Sequence, residues 1–540
     1  MIRTKKSNKR KAALAGIGHK QMATNNFVAS RKMNWFTVGA SIFASNLGSE
    51  HFVGLSGSAA ANGISVAAFE MNALIILQLA TWIFLPVLIV SKISTLPEYM
   101  SKRFGGKRIR TYLAVLSILL YIFTKISVNL YSGGIFIQQA VGWGLYSSAM
   151  FILALTCAMT LTGGVKGAMV IDNLQAIVMT IGASIVSTRA LIAIGGWDQL
   201  KQRYMSAVPS KVPAHLTHCA QPNPRAFQML RPADDHDMPW IGFIIGQTPA
   251  SIWYWAADQM MVQRFLSARS LAHVQGSAVF AGYLKILPLV FMIIPGMISR
   301  CLFTDEVGCI DPAECQRYCQ SSVSCSNTAY PRLVLELMPM GARGMMVAAM
   351  VAALMQDLCN VFNSASALFS CDIWPLFRKH ATQKEQETVG RVFVICLVCA
   401  SIMWIPVIQE MQGGQLFIYI QAVSALFWPP ICAVYICAIL WKRTNETGAF
   451  WSLMIGFALG MLRMIMSFMY KEPSCGQHVD ERPWMLKHVH YMYYAAFLFW
   501  TTIAFTVLIS HYTKAPAPFR VSVQAQFFHS SACLSRTKNI

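Results

Sequence analysis

The sequence predicts an all-α membrane protein of about twelve transmembrane helices, and three observations carry that expectation. Of 540 residues, 55% are hydrophobic and only 12% are charged, about half the charge of an ordinary soluble domain. The apolar residues gather in runs of roughly 20, enough to cross ~30 Å of hydrocarbon at 1.5 Å per residue. These runs recur along nearly the whole chain.

The spans fall at about 34–61, 66–92, 109–141, 145–163, 167–195, 239–262, 273–303, 343–374, 390–408, 415–441, 448–469 and 490–511. Together they define a transmembrane domain over 34–512, after a basic segment at 1–33 and before a polar stretch, 513–540, expected to be a disordered tail. The net charge of +21 could suggest nucleic acid. Its placement argues otherwise. Lys5, Lys6, Lys9, Arg10 and Lys11 precede the first span, and Lys102, Arg103, Lys107, Arg108 and Arg110 follow the second, as expected of cytoplasmic loops. No nucleic-acid partner is expected. With the N-terminus inside, Lys166, Arg264 with Arg269, Arg378 with Lys379, and Lys442 with Arg443 fall in loops on the same side. An even count returns the C-terminus to the cytoplasm. The N-terminus shows no apolar core followed by a cleavage site, so no signal peptide is expected. Neither a Walker A loop nor a dinucleotide fingerprint is present, which argues against ATP-driven pumping.

Two exterior loops are long, about 196–238 and 304–330. The second holds Cys309, Cys315, Cys319 and Cys325, whose spacing is not that of a zinc site. An oxidising exterior favours two disulfides among them, with the pairing open. Cys219 and Cys475 lie in two other exterior loops and are candidates for a third. Cys396 and Cys399 sit in an apolar helix and read as packing residues.

Polar groups inside a span are costly, so each is a functional candidate. The first span is interrupted by Ser45-Asn46-Leu47-Gly48-Ser49-Glu50-His51. Small residues there would suit helix packing, but that leaves Asn46 and His51 unexplained. A break would free backbone carbonyls, which coordinate ions where helices are discontinuous. Glu70 and Asn72 lie in the second span, and Glu70 reads either as a site residue or as an interfacial carboxylate. The sixth span carries Ser251, Trp253, Tyr254, Trp255, Asp258 and Gln259 after Gly246 and Pro249. Aromatic faces beside polar donors and acceptors suit a sugar or cyclitol, which has a C–H face and a rim of hydroxyls. Lys285 and Gln421 complete the set, although a lone Gln often serves packing. Spans one and six are both interrupted and lie five spans apart, the pointer to two inverted five-helix repeats with a site between them.

At these residues the chain resembles the sodium:solute symporters, specifically the sodium/glucose cotransporter family. The match runs from about Asn34 to Thr513 through FASNLGSEHF, LPEYMSKRFGG, LYIFTKIS, WYWAADQ, GYLKILP, PGMISR, FNSAS, GQLFIYIQ and GAFW. Finer details, including GISVAAFEMN, FIQQ, VAALM and DERP, look most like its myo-inositol members. The resemblance implies a LeuT-like 5+5 inverted-repeat core. It places substrate contacts on Asn46, His51, Glu70, Ser251, Tyr254, Trp255, Lys285 and Gln421. It also places a sodium site on the carbonyls of Ala44, Leu47 and Ala353, and a further conserved carboxylate on Asp172, near Gln175.

Three departures stand out against the family. Gln356 and Asp357 replace the two serines that usually complete the sodium site, and Asn129 stands where Asp is usual. The family's additional first and last spans have no counterpart in the chain. The expectation is sodium-coupled symport of myo-inositol or a hexose such as glucose across the plasma membrane, with no covalent chemistry. A sodium-independent carrier and a non-transporting sugar sensor are the alternatives that the altered sodium site raises. A membrane enzyme using Asp258 and Lys285 lacks the paired acids, metal cluster or nucleophile–base set it would need.

Overall fold

The computed structural model describes residues 32–91, 93, 95–319, 321, 323–378, 381–411, 415–470, 473 and 480–517, leaving aside the side chains of 162–166, 383 and 404–411. Expectations for the basic segment before residue 32, for most of the polar tail, and for Cys475 and Lys379 therefore lie outside the described residues. Within them the chain is helical, with two isolated β-bridges, Met33 with Ala268 and Arg231 with Pro239.

Nine helices among the described residues are long and apolar enough to cross a membrane, and Leu145–Leu161 is a shorter apolar one. Two broken helices bring the architecture to the twelve expected spans. In chain order, α1 runs Trp35–Asn46 and resumes as Glu50–Leu55 and Ser56–Asn62. Next come α2 (Ile64–Val90), α3 (Arg108–Val141), α4 (Leu145–Leu161) and α5 (Gly167–Ile194). The sixth, α6, runs from Trp240 to Ala256 and resumes as Gln259–Phe265. Then follow α7 (Leu271–Leu302), α8 (Met340–Phe377), α9 (Gln383–Met411), α10 (Leu416–Leu440), α11 (Glu446–Met469) and α12 (Tyr491–Tyr512).

Local sequence sets the ends. Asn34, Ser270 and Asn445 accept from Thr37 N, His273 N and Gly448 N, satisfying donors that a helix start leaves unpaired. Rings and aliphatic chains such as Trp82, Leu174, Val392, Trp451 and Trp500 are exposed, as expected where lipid is the solvent.

The structure differs from the sequence reading in two places. The turn expected between α4 and α5 is absent, because the backbone stays helical from Leu145 to Ile194. Several basic residues assigned to loops are structural. Arg264 is buried on the second half of α6, with Nη2 3.7 Å from Asp172. Arg103, on the short helix Leu96–Phe104, donates to the carbonyls of Ala438, Trp441 and Lys442. A cation there satisfies the unpaired acceptors at the end of α10.

The loop at 304–330 holds both expected disulfides, paired Cys309–Cys315 and Cys319–Cys325, each with Cα atoms 5.6 Å apart. Cys219 is also disulfide-bonded. In the loop at 196–238, buried Arg231 reaches Asp237 at 2.9 Å and the Asn62 carbonyl at 2.5 Å, fastening the loop to the end of α1. Burial would raise the Asp237 carboxyl, but the His236 hydrogen bond and the Arg231 charge bring it below its usual range.

Candidate functional site

The site is built around the α1 break. Ser45-Asn46 ends a helix because short polar side chains compete for backbone bonds, and Leu47 leaves the helical region at φ −91°, ψ 73°. Gly48 follows, at a place where a Cβ would lie 2.8 Å from the Asp357 carboxylate. The chain resumes in a π-helical turn, Glu50–Leu55. Comparable turns at Tyr121–Ile126 in α3 and Phe243–Gln247 in α6 carry Lys125 and Gln247. Such turns rotate side chains off the ordinary helical register, and these three turns together deliver Glu50, His51, Lys125 and Gln247 to one chamber.

All eight expected substrate contacts line that chamber: Asn46, His51, Glu70, Ser251, Tyr254, Trp255, Lys285 and Gln421. They are linked in pairs. Lys285 Nζ donates to Glu70 Oε2 at 2.8 Å and also to Asn46 Oδ1. His51 Nε2 lies 3.2 Å from Glu70 Oε1, and Asn46 Nδ2 donates to the Tyr254 hydroxyl at 2.7 Å. Glu70 thus lines the chamber, buried and paired on both carboxylate oxygens. Gln247 donates to Gln421 Oε1 at 2.7 Å, and Asn72 donates to Ser251 at 3.1 Å. Buried charges are tolerable only when paired and hydrogen-bonded, and this network supplies both.

Polar and aromatic lining residues beyond the eight expected contacts include Glu50, paired with Lys125 at 3.5 Å, Gln247 and Trp428. The Lys125 ammonium lies 4.7 Å from the Tyr254 ring centroid, and Lys285 lies 5.5 Å from that of Trp255, within cation–π range. Trp428 of α10 stacks on Trp253 with centroids 4.5 Å apart and 22° between planes. Its indole Nε1 is buried with no hydrogen-bond partner among the described residues. The sequence signal available was Trp428-Pro429-Pro430 in the middle of a span, where Trp is unusual.

Asp258 lies at the other break. It accepts from Met260 N at 3.0 Å and from the Tyr121 hydroxyl, capping the second half of α6. The expected cation-site residues separate into two groups. Ala44 and Leu47 flank the α1 break, Ala353 and Asp357 are buried on α8, and Asp357 faces Gly48. Asn129 joins the two elements, donating to Asp357 Oδ2 at 2.6 Å while its Oδ1 lies 3.0 Å from the Ser49 hydroxyl. The two departures are therefore partners. An aspartate at 129 would set two carboxylates against each other, which asparagine avoids. Gln356 turns elsewhere: its Nε2 donates to the Ala168 carbonyl at 2.9 Å, and its buried Oε1 has no partner among the described residues. Asp172 accepts from Ser41 at 2.5 Å, and Gln175 bonds Met179.

A polar chamber on broken helices, inside a bundle of membrane-length helices, is the construction of a secondary transporter. The family model for the Sodium:solute symporter family matches residues 26–456, and the chain belongs to that family. It is 49% identical over 521 residues to the sodium/myo-inositol cotransporter of Homo sapiens, covering 95% of this chain and 72% of that one. It is also 49% identical over 484 residues to the sodium/glucose cotransporter 4 of Homo sapiens, covering 90% and 71%. A Na+-coupled sialic acid symporter solved in a substrate-bound, outward-open state shares the fold, with a TM-score of 0.71 at 17% identity over 92% of this chain and 93% of that one. The fold is LeuT-like.

Proposed function

We propose that the chain is a plasma-membrane symporter that uses the sodium gradient to accumulate myo-inositol or a hexose such as glucose by alternating access. Both termini are cytoplasmic in this reading. The observation that carries it is the chamber: eight side chains from α1, α2, α6, α7 and α10 converge on one space lined by rings and by paired donors and acceptors. A pyranose or cyclitol can lay its C–H face on Tyr254 and exchange its hydroxyls into the Asn46, Glu70, Lys285 and Gln421 bonds. The named solutes of the two cotransporters support this class. Sodium is cargo in this scheme. The carboxylate of Asp357 and the carbonyls of Ala44, Leu47 and Ala353 are hard oxygens suited to it, and its binding would stabilise one face-open form over the other.

The placement of Gln356 favours a second reading, in which coupling is weakened or lost, because its amide is engaged with α5. Tracer uptake of myo-inositol and glucose, with and without sodium and with clamp current recorded, separates the two. Saturable sodium-dependent uptake with inward current supports symport. Uptake indifferent to sodium supports the carrier, and current without uptake a sensor. A sodium titration at two pH values, repeated on the Gln356→Ser, Asp357→Ser double variant, tests the cation face. Ordinary coupling, insensitive to pH and unchanged by the two serines, removes these residues from the sodium site.

A further inference from the structure

We propose that Trp428 is a specificity-determining residue of the chamber, its indole N–H donating to one ring hydroxyl of the bound solute. This rests on the reading of the chamber as a polyol or sugar site. Four observations converge. Trp428 lies seven residues after Gln421, two turns along the same face of α10, and both line the chamber. Its ring is held by Trp253 and lies nearly parallel to Tyr254, with 6.2 Å between centroids and 23° between planes. The two prolines that follow, Pro429 and Pro430, restrict the backbone that carries it. Only 6% of the residue is exposed, and Nε1 has no acceptor among the described residues.

An indole N–H can only donate, and a buried donor left unpaired costs as much as a lost hydrogen bond. The polar side chains described around the chamber are largely committed to one another: Asn46 to Tyr254, Lys285 to Glu70, Lys125 to Glu50, and Gln247 to Gln421. A solute hydroxyl must displace one of those bonds to use an engaged atom, the Gln421 amide N–H groups not being among them. At Trp428 it displaces none. The acceptor has to sit at the rim of a ring whose face lies on an aromatic wall, which describes a compact cyclic polyol. A site that holds a donor for a hydroxyl discriminates strongly against the analogue lacking it.

The test measures displacement of labelled myo-inositol by single-position deoxy analogues of myo-inositol and glucose, on the full chain and on its Trp428→Phe and Trp428→His variants. Phenylalanine keeps a ring without the donor, and histidine keeps a ring N–H. The expected result is a loss of roughly 5- to 150-fold in apparent affinity for the parent solute in Trp428→Phe. One deoxy analogue should bind the unmodified chain and Trp428→Phe equally, and Trp428→His should recover part of the difference. An equal penalty across the whole panel assigns Trp428 to ring packing and overturns the proposal, as does no penalty at all. If neither variant folds, the unmodified chain decides: no deoxy position with at least about a fivefold loss means that no single hydroxyl is read. Failure of the unmodified chain to bind any cyclic polyol or hexose overturns the chamber reading itself, a result distinct from a silent Trp428.

Discussion

The two broken helices end their first halves in different ways. At α6 the break is saturated. Ala257 N and Asp258 N both donate to the Trp253 carbonyl at 2.8 and 2.9 Å, the Tyr435 hydroxyl donates to Ala256 O at 3.0 Å, and Asp258 caps the resumed helix. At α1 no side chain caps the turn that resumes at Glu50. The group facing Gly48 is a carboxylate from α8. The α6 discontinuity is closed by its own backbone and Asp258 together with hydroxyls from α3 and α10, and reads as structure. At α1 Leu47 N and His51 N donate to Ala44 O and Gly48 O at 3.1 Å each, and the side chain that completes the break comes from one neighbouring helix and is charged. Sequence interruption alone marks both. Only the partners distinguish a break that shapes the bundle from one that serves a ligand.

The largest expected effect tests where the α1 break meets the chamber. Lys285→Ala removes the partner of Glu70 and of Asn46. Breaking a buried ion pair costs about 3–5 kcal/mol because a charge is left unpaired. Loss of uptake and a sharp fall in Tm in detergent are expected. A Lys285→Met, Glu70→Gln double variant should regain thermal stability without regaining uptake. Recovery of both would make the pair structural only.

The closed break comes next. Asp258→Ala removes a cap, worth about 0.5–2 kcal/mol, and leaves the buried Tyr121 O–H without its acceptor, at about 1–3 kcal/mol more. The Tm should fall while the sodium half-saturation of the surviving protein stays fixed. A changed sodium response with an unchanged Tm would reverse the assignment of the two breaks.

Within the chamber, Gln421→Ala should weaken apparent solute affinity roughly tenfold or more, since a buried hydrogen bond lost costs about 1–3 kcal/mol. The Gln247 contact sharpens this expectation. Gln421 uses its carbonyl for Gln247, so its amide N–H groups remain for the solute, and Gln247→Ala should have the smaller effect. Half-saturation unchanged for every solute tested would remove Gln421 from the site.

Much of this was legible in the residues, and what was missed has physical causes. Apolar runs of membrane length located the spans, and Ser-Asn-Gly clusters located the α1 break, because both signals are local. The continuous helix through 162–166 was not legible: the sequence reading sets the break between spans 145–163 and 167–195 at Lys166, whereas the backbone stays helical. Lys125 and Gln247 were hidden because π-helical turns shift the register that a periodicity argument assumes. Trp428 was hidden for another reason. An aromatic residue in an apolar run looks like core until its unpartnered N–H is seen.

The smallest expected effect bears on the α8 face. Spacings of three and four put Ala353, Gln356, Asp357 and Asn360 on one side of α8, yet that side is shared by two neighbours. Asp357 faces Gly48 and bonds Asn129, while Gln356 donates to Ala168. The Ala168 carbonyl lies within a continuous helix, so removing the Gln356 amide leaves an acceptor with its helical bond. Gln356→Ser should therefore change Tm little. A serine hydroxyl offers the break one more hard oxygen and releases α5 from the amide. The expected result is a sodium half-saturation lowered about fivefold, the equivalent of one net hydrogen bond of ~1 kcal/mol. Asp357→Asn, which keeps the shape and removes the charge, should raise it. If Gln356→Ser moves Tm and leaves the sodium titration untouched, the amide holds α8 to α5 and has no part in coupling. If Asp357→Asn also leaves the titration untouched, the open break at α1 binds no cation through α8, and the contrast between the two breaks is one of packing alone.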